Sequence, residues 1–296
     1  MSNDTSQRSV LAWFLLIILS IIWGSSFVLM LEGLKGFTSL QLAMIRMAVA
    51  AICLSPFLFT YIRKVSWRDV GLLFAIGMTG NAIPAYLFAK SETELPSAIV
   101  GVLNSMSPIF TLIIGWLLFQ LRFPLKNGLG VLVGFAGASI LALSGGSGGN
   151  SSENLSYSLL VVAATLCYGI STNLIKHHFS GRPPVLIATV ALSLVGWPCL
   201  ILLLTTTDFT ERMATNEAAP MAFTYIAILG ALGTAFGVAL FNKLLQISSI
   251  IFATSVTYTI PIVALIWGVI LAEELTYWHA IGFAVILVGV WLANRK

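Results

Sequence analysis

Gly101-Val-Leu-Asn104-Ser105-Met106-Ser107-Pro108 lies in the middle of Ser97 to Phe119, an apolar run long enough to cross a bilayer. A polar stripe and a proline interrupt it. The arrangement returns at Thr254-Ser-Val-Thr257-Tyr258-Thr259-Ile260-Pro261, at an offset of 153 residues (254 − 101). Gly101, Asn104, Ser105 and Pro108 thereby pair with Thr254, Thr257, Tyr258 and Pro261. These positions are spaced i, i+3, i+4, i+7 and share one helical face.

The whole chain is 58% hydrophobic and 9% charged over 296 residues, with a mean hydropathy of +0.98. Soluble domains run at roughly 45–50% apolar and about 25% charged. The apolar residues are spread along the full length, so a polytopic helical membrane protein is expected rather than a single anchor or cleaved leader. Continuous runs, not short alternating segments, exclude a transmembrane barrel. Cys53, Cys167 and Cys199 lie in apolar runs without metal-ligand spacing, so neither a disulfide framework nor a metal site is indicated. The net charge of +4 comes from basic residues scattered singly between spans, which argues against a nucleic-acid partner.

Ten spans are expected: Val10–Met30, Leu40–Tyr61, Val70–Ala89, Ser97–Phe119, Leu125–Leu143, Ser156–Lys176, Pro184–Leu204, Met221–Lys243, Ser249–Leu271 and Trp278–Ala293. With the N-terminus in the cytoplasm, eleven of the 15 Lys and Arg residues fall inside, and Lys35, Lys90 and Arg212 fall outside. The positive-inside rule then sets both termini in the cytoplasm.

An internal repeat sets the architecture. Trp23-Gly24-Ser25-Ser26-Phe27 matches Tyr168-Gly169-Ile170-Ser171-Thr172, Gly80 to Lys90 matches Gly233 to Lys243, and Gly130 and Gly137 match Gly282 and Gly289. Two five-span halves follow. Because five is odd, the second half enters the membrane from the opposite side, and inverted repeats with a site between them are a transporter architecture. The expected fold is an all-α polytopic membrane protein of ten transmembrane helices in two inverted five-helix repeats. Residues 1–144 form the first repeat, 145–155 a Gly/Ser-rich linker and 156–296 the second.

Proline removes the hydrogen bond to the residue four earlier, so Pro108 and Pro261 are expected to free the carbonyls of Asn104 and Thr257. Broken backbone at membrane depth is tolerated where it is buried in protein or lines a wet cavity. Asn104, Ser105, Ser107, Pro108, Thr257, Tyr258, Thr259 and Pro261 are therefore substrate-cavity candidates, the alternative being hydroxyls that tie helices together. Trp23 and Ser26, with Tyr168 and Thr172, offer aromatic and hydroxyl groups to a cavity or to helix packing. Arg46 is the one charge well within a span. With no acid at comparable depth, its partners are expected among Asn81, Asn104, freed carbonyls or a substrate carboxylate. A structural role bracing helix ends is the other reading. Lys90, Arg122, Glu273 and Glu274, at span ends, are gate candidates. Without a midplane acid or histidine, proton coupling through a buried carboxylate is not expected. Gly130-xxx-Gly134 and the glycines of the last span allow close helix approach, in a homodimer or within one chain.

In these features the chain resembles the EamA-type carriers of the drug/metabolite transporter superfamily over essentially its full length. The carrying residues are Trp23-Gly24-Ser25-Ser26-Phe27, Arg46 with its following alanines, and two proline spans, each followed by a glycine-marked span. In the second copy, Pro261 precedes Ala272-Glu273-Glu274-Leu275-Thr276, Gly282 and Gly289. The resemblance implies ten spans in inverted repeats and export of a small metabolite across the bacterial inner (plasma) membrane. The first copy departs from the pattern, with Arg122 where the second has Glu274.

The expected function is alternating-access transport of a small amphiphilic metabolite, amino acid-like or drug-like, neutral or zwitterionic. The partners are that solute and the lipid bilayer; no cofactor, metal or catalytic group is expected. An intramembrane enzyme would need a nucleophile with a base, or paired carboxylates, within the bundle, and the spans offer neither. A non-transporting scaffold or assembly protein is the alternative, and the duplicated broken stripes count against it.

Overall fold

The computed structural model describes residues 2–95, 97–121, 124–143, 153–270 and 277–294. The described residues form helices joined by short turns and contain no strand. The chain begins with α1 (Ser2–Gly24) and α2 (Ser26–Leu34), broken at Ser25, followed by α3 (Ser39–Tyr61). Then α4 (Trp67–Gly77) and α5 (Ile83–Ser91) are joined by a π turn at Met78–Ala82. Next, α6 (Ser97–Asn104) and α7 (Ser107–Phe119) are offset at Ser105–Met106, and α8 (Leu125–Leu143) follows.

Beyond them lie α9 (Glu153–His178), α10 (Pro184–Thr206) and the short α11 (Phe209–Thr215). A second π turn, Leu229–Phe236, joins α12 (Ala219–Ile228) to α13 (Gly237–Ile247). The chain closes with α14 (Ile250–Thr254), α15 (Val256–Ile270) and α16 (Tyr277–Asn294). Six described helical runs are long and apolar enough to cross a membrane: Val10–Leu34, Ser39–Lys64, Trp67–Ser91, Leu155–His178, Pro184–Thr206 and Ala219–Ile247.

Local chemistry sets several boundaries. Thr38 caps α3 by accepting from the Gln41 N–H while Gln41 reaches back to Thr38, and Ser66 and Asp69 do the same for α4. Ser249 caps α14 through the Phe252 N–H. The outer surface carries large apolar side chains such as Phe14, Ile17, Phe59, Trp116, Leu118 and Ile201. A contiguous apolar surface of this kind is stable against lipid and not against water.

The bundle has two chemically different ends. At one, Arg182 reaches Asp69 at 3.4 Å and the Lys64 carbonyl, and Lys176 donates to the carbonyls of Leu245 and Ser248 at 2.5 and 2.9 Å. At the other, Gln41 donates to Asp208 at 2.7 Å and Phe37 stacks on Phe209. Two apolar clusters close these ends. Leu73, Ile76, Ile175, Phe179 and Leu244 belong to the first, and Phe27, Leu42, Phe88, Leu203 and Ile260 to the second.

Glycine permits the closest helix contacts. A Cβ at Gly289 would fall on the backbone of Gly134, and one at Gly137 would meet α16 at Ile286 and Gly282. The Gly130–Gly134 face is therefore used inside the chain, between α8 and α16. Gly196 on α10 is seated against the Met47 carbonyl and the Ala51 methyl of α3. Gly196→Ala is expected to cost about 1–3 kcal/mol by overpacking, read as a lower melting temperature of the detergent-purified protein.

Candidate functional site

Between the two apolar clusters lies a cavity enclosing about 1090 Å³ of empty space, including its open mouth. Its wall is largely apolar and aromatic, with Trp23, Phe27, Met30, Phe88, Tyr168 and Phe241. A few polar groups converge on it. This is the usual composition of a small-molecule site.

The two π turns shape the polar part. Such a turn inserts one residue into a helix, widens it and turns backbone groups outward. In the second turn the Gly233 carbonyl accepts the Trp23 indole N–H at 2.8 Å. The next residue, Thr234, donates its hydroxyl to the Leu229 carbonyl five residues back and accepts the Arg46 Nε–H at 2.7 Å. One threonine thus ties its own widened turn to the arginine of α3. In the first turn, Gly80 and Asn81 line the cavity, with Gly80 tight against Ser171 on α9. Ser26 also lies beside Gly233, at ordinary contact distance, with the Leu229 side chain nearer to that glycine.

Arg46 lines the cavity, and Nε is the guanidinium nitrogen that Thr234 engages. Among the described residues no carboxylate lies within salt-bridge distance of it. A guanidinium on the wall of such a cavity suits a planar anion such as a carboxylate.

The proline stripes are resolved differently from the sequence expectation. The Asn104 carbonyl, which Pro108 cannot engage, accepts the Ser107 hydroxyl at 2.7 Å. The Thr257 carbonyl, freed by Pro261, accepts the Ser105 hydroxyl at 3.3 Å from the other half of the chain. Both freed carbonyls therefore have partners within the protein. Asn104 and Thr257 line the cavity, as do Trp23, Ser26, Arg46, Asn81, Tyr168 and Thr172.

Ser105, Pro108, Tyr258 and Pro261 are buried but do not line it. Tyr258 is 0% exposed and donates its hydroxyl to the Val131 carbonyl of α8 at 3.1 Å, with its ring against Gly134. Lys90 holds its ammonium 5.7 Å from the Tyr157 ring, away from the cavity wall. Arg122, Glu273 and Glu274 lie outside the described residues.

Ser107, a stripe candidate in the sequence, lines the wall, and sequence reasoning missed four further polar groups there: Thr111, Ser171, Asn242 and Thr254. It also missed Glu92, which follows α5 and is 5% exposed. The run Lys90-Ser-Glu92-Thr-Glu94 reads as a solvated helix end. The signal was nonetheless present, because Ala85, Phe88, Ala89 and Glu92 are spaced i, i+3, i+4, i+7 and all four are buried.

The chain matches the model of the EamA-like transporter family twice, over residues 10–143 and 155–295. It belongs to the EamA-like transporter family. This EamA-like protein is accordingly a multi-pass membrane protein of a transporter family. It is 25% identical to a probable terminal-alkyne amino-acid exporter of Streptantibioticus cattleyicolor, over 95% of this chain and 92% of that one. It is 26% identical to a probable amino-acid metabolite efflux pump of Salmonella typhimurium, over 94% and 93%. It is 25% identical to the uncharacterized inner membrane transporter YedA of Escherichia coli, over 94% and 91%. A solved crystal structure shares its fold with a TM-score of 0.72 at 14% identity, covering 96% of each chain.

Proposed function

We propose that this EamA-like protein is a secondary carrier for a small amphiphilic metabolite, neutral or zwitterionic and bearing a carboxylate. It exposes the central cavity to either side of the bacterial inner membrane in turn and moves its solute outward. The observation that carries this reading is Arg46, held through Nε by Thr234 and presented to a cavity otherwise walled by aromatic and apolar groups. The carboxylate pairs with the guanidinium, and the apolar part packs against Phe27, Phe88 and Tyr168. Relatives named as an amino-acid exporter and an amino-acid metabolite efflux pump support both the solute class and the direction. Transport without covalent chemistry accounts for the site, so the protein is read as a carrier and not an enzyme.

Ten transmembrane helices in two inverted repeats, residues 1–144 and 156–296, with both termini cytoplasmic, complete the proposal. A serine of each half beside a glycine in the other half's π turn supports the repeat, the approach being tight at Gly80 and ordinary at Gly233. Ser26 of the first half meets Gly233 in the π turn of the second, and Ser171 of the second meets Gly80 in the π turn of the first. Such a pseudo-twofold pair at the cavity is the contact that rocking of one bundle against the other would remake.

The test is exchange in proteoliposomes, using radiolabelled phenylalanine at the head of an amino-acid panel and phenethylamine as its carboxylate-free counterpart. Saturable exchange of carboxylate-bearing members, well above that of the amine, is the expected result. No saturable movement of any member would sink the carrier reading in favour of the scaffold.

A further inference from the structure

Glu92 follows α5 at the end of the bundle opposite Lys64 and Arg182 and is 5% exposed. Neither of its carboxylate oxygens has a hydrogen-bond partner, and the nearby Ser97 hydroxyl is unpartnered as well. An ionised carboxylate buried without partners is costly, and the usual relief is to bind a proton. The surroundings offer limited relief to the charged form. From α3 the Arg46 cation reaches Glu92 through its field, beyond ion-pair contact, and from α6 the Ser97 hydroxyl favours the carboxylate without meeting hydrogen-bond geometry. From α9 come Tyr157 and Tyr168; the first sits against the Lys90 ammonium and the second stacks on Phe88. On its own segment, Lys90 is turned over the Tyr157 ring and Glu94 is exposed. Burial outweighs these groups and pushes the Glu92 carboxyl well above the ordinary glutamate range.

We propose that Glu92 is a proton-binding site linked to the cavity through Arg46, so that a proton on Glu92 and an anionic group at Arg46 favour each other. The link is electrostatic. Phe88, one turn before Glu92, shares the cavity wall with Arg46, and from there the Arg46 cation favours the Glu92 carboxylate. A substrate carboxylate at Arg46 cancels that field, and Glu92 then holds its proton more tightly. By reciprocity, a protonated Glu92 leaves Arg46 without a competing anion and raises its affinity by the same factor. The proton-site half stands on Glu92 alone, and the linkage to substrate rests on the carboxylate-at-Arg46 reading.

The experiment is a pH titration of the purified full-length protein, following the protonated-carboxyl C=O stretch by infrared difference spectroscopy. The wild type should retain one such band well above pH ~4.3, the ordinary glutamate midpoint. Glu92→Gln should lack it. Arg46→Gln should keep the band and move its midpoint upward, because a stabilising cation is gone. An ordinary midpoint in the wild type, or the high-pH band persisting in Glu92→Gln, overturns the proton site. An unmoved midpoint in Arg46→Gln overturns the linkage.

Saturating phenylalanine should also raise the wild-type midpoint, by about one pH unit for a tenfold coupling. If phenylalanine and the rest of the panel are not carried, the proposed function fails, and the other arms still decide the proton site and its coupling to Arg46. Stability gives an independent readout. Above pH ~4.3 an unfolded-chain glutamate ionises while the folded carboxyl keeps its proton, so stability falls with rising pH until the folded group itself ionises. Glu92→Gln should flatten that slope.

Discussion

Arg46→Gln is expected to slow phenylalanine exchange by roughly 10- to 100-fold, while leaving phenethylamine exchange nearly unchanged and lowering the melting temperature only by what the lost Thr234 bond contributes. The magnitude follows from a charge-assisted hydrogen-bond pair worth about 1.5–3 kcal/mol, at about 1.4 kcal/mol for each factor of ten. The direction follows from geometry. Nε is committed to Thr234 at 2.7 Å, and this bond orients the guanidinium plane on the cavity wall. Glutamine keeps polarity and loses the cation. A brace for helix ends would behave oppositely, with a clear loss of stability and equal loss for both solutes. Arg46→Lys separates charge from shape. An ammonium cannot hold Thr234 with one nitrogen and present a flat pair of donors with two others, so only partial recovery is expected. Thr234→Val removes the acceptor for Nε and frees the guanidinium to swing. Its expected effect is a weaker loss of the same sign, read as a raised KM for phenylalanine exchange.

The contrast between what the sequence displayed and what it concealed has a physical basis. Apolar length and capping chemistry are local, so the expected spans from Leu40 to Tyr61 and from Pro184 to Leu204 fall on α3 and α10, with ends such as Thr38 legible in the chain. The Trp23–Phe27 and Tyr168–Thr172 pairing was legible because the same face is written twice, and its Trp23, Ser26, Tyr168 and Thr172 all line the cavity. The π turns were not legible. A one-residue insertion leaves composition and apolar content unchanged, and only the three-dimensional path reveals why Gly233 and Thr234 can receive Trp23 and Arg46. The carbonyls of Asn104 and Thr257, left without an N–H by Pro108 and Pro261, are legible from the proline positions alone. Their resolution by Ser107 and Ser105 depends on a side-chain turn of three residues in one case and on a contact 152 residues away in the other. Glu92 was concealed by its company, because flanking Lys90 and Glu94 give the segment the composition of a wet loop.

Tyr258 is the sharpest divergence between stripe and cavity, and its substitution distinguishes packing from lining. Its ring is wholly buried among Val131, Ile251 and Ile286, against Gly134, where a Cβ would press on the ring at 3.0 Å. Tyr258→Ala is expected to destabilise the protein by about 3–5 kcal/mol, the usual range for deleting a buried aromatic side chain. A large fall in melting temperature should result. Tyr258→Phe removes only the hydroxyl bond to the Val131 carbonyl, at an expected cost of about 1 kcal/mol; as that carbonyl lies within a helix, its own backbone bond survives. Asn104→Leu should show the reverse pattern. Asn104 faces the cavity and its backbone carbonyl stays bonded to Ser107, so the melting temperature should hold while phenylalanine exchange falls several-fold. Asn104 and Tyr258 are adjacent, not equivalent, positions of the stripe: Asn104 and its counterpart Thr257 line the cavity, whereas Tyr258 and its counterpart Ser105 are buried away from it. Exchange lost in Tyr258→Phe with an unchanged melting temperature would place the phenol in the transport path and overturn this assignment.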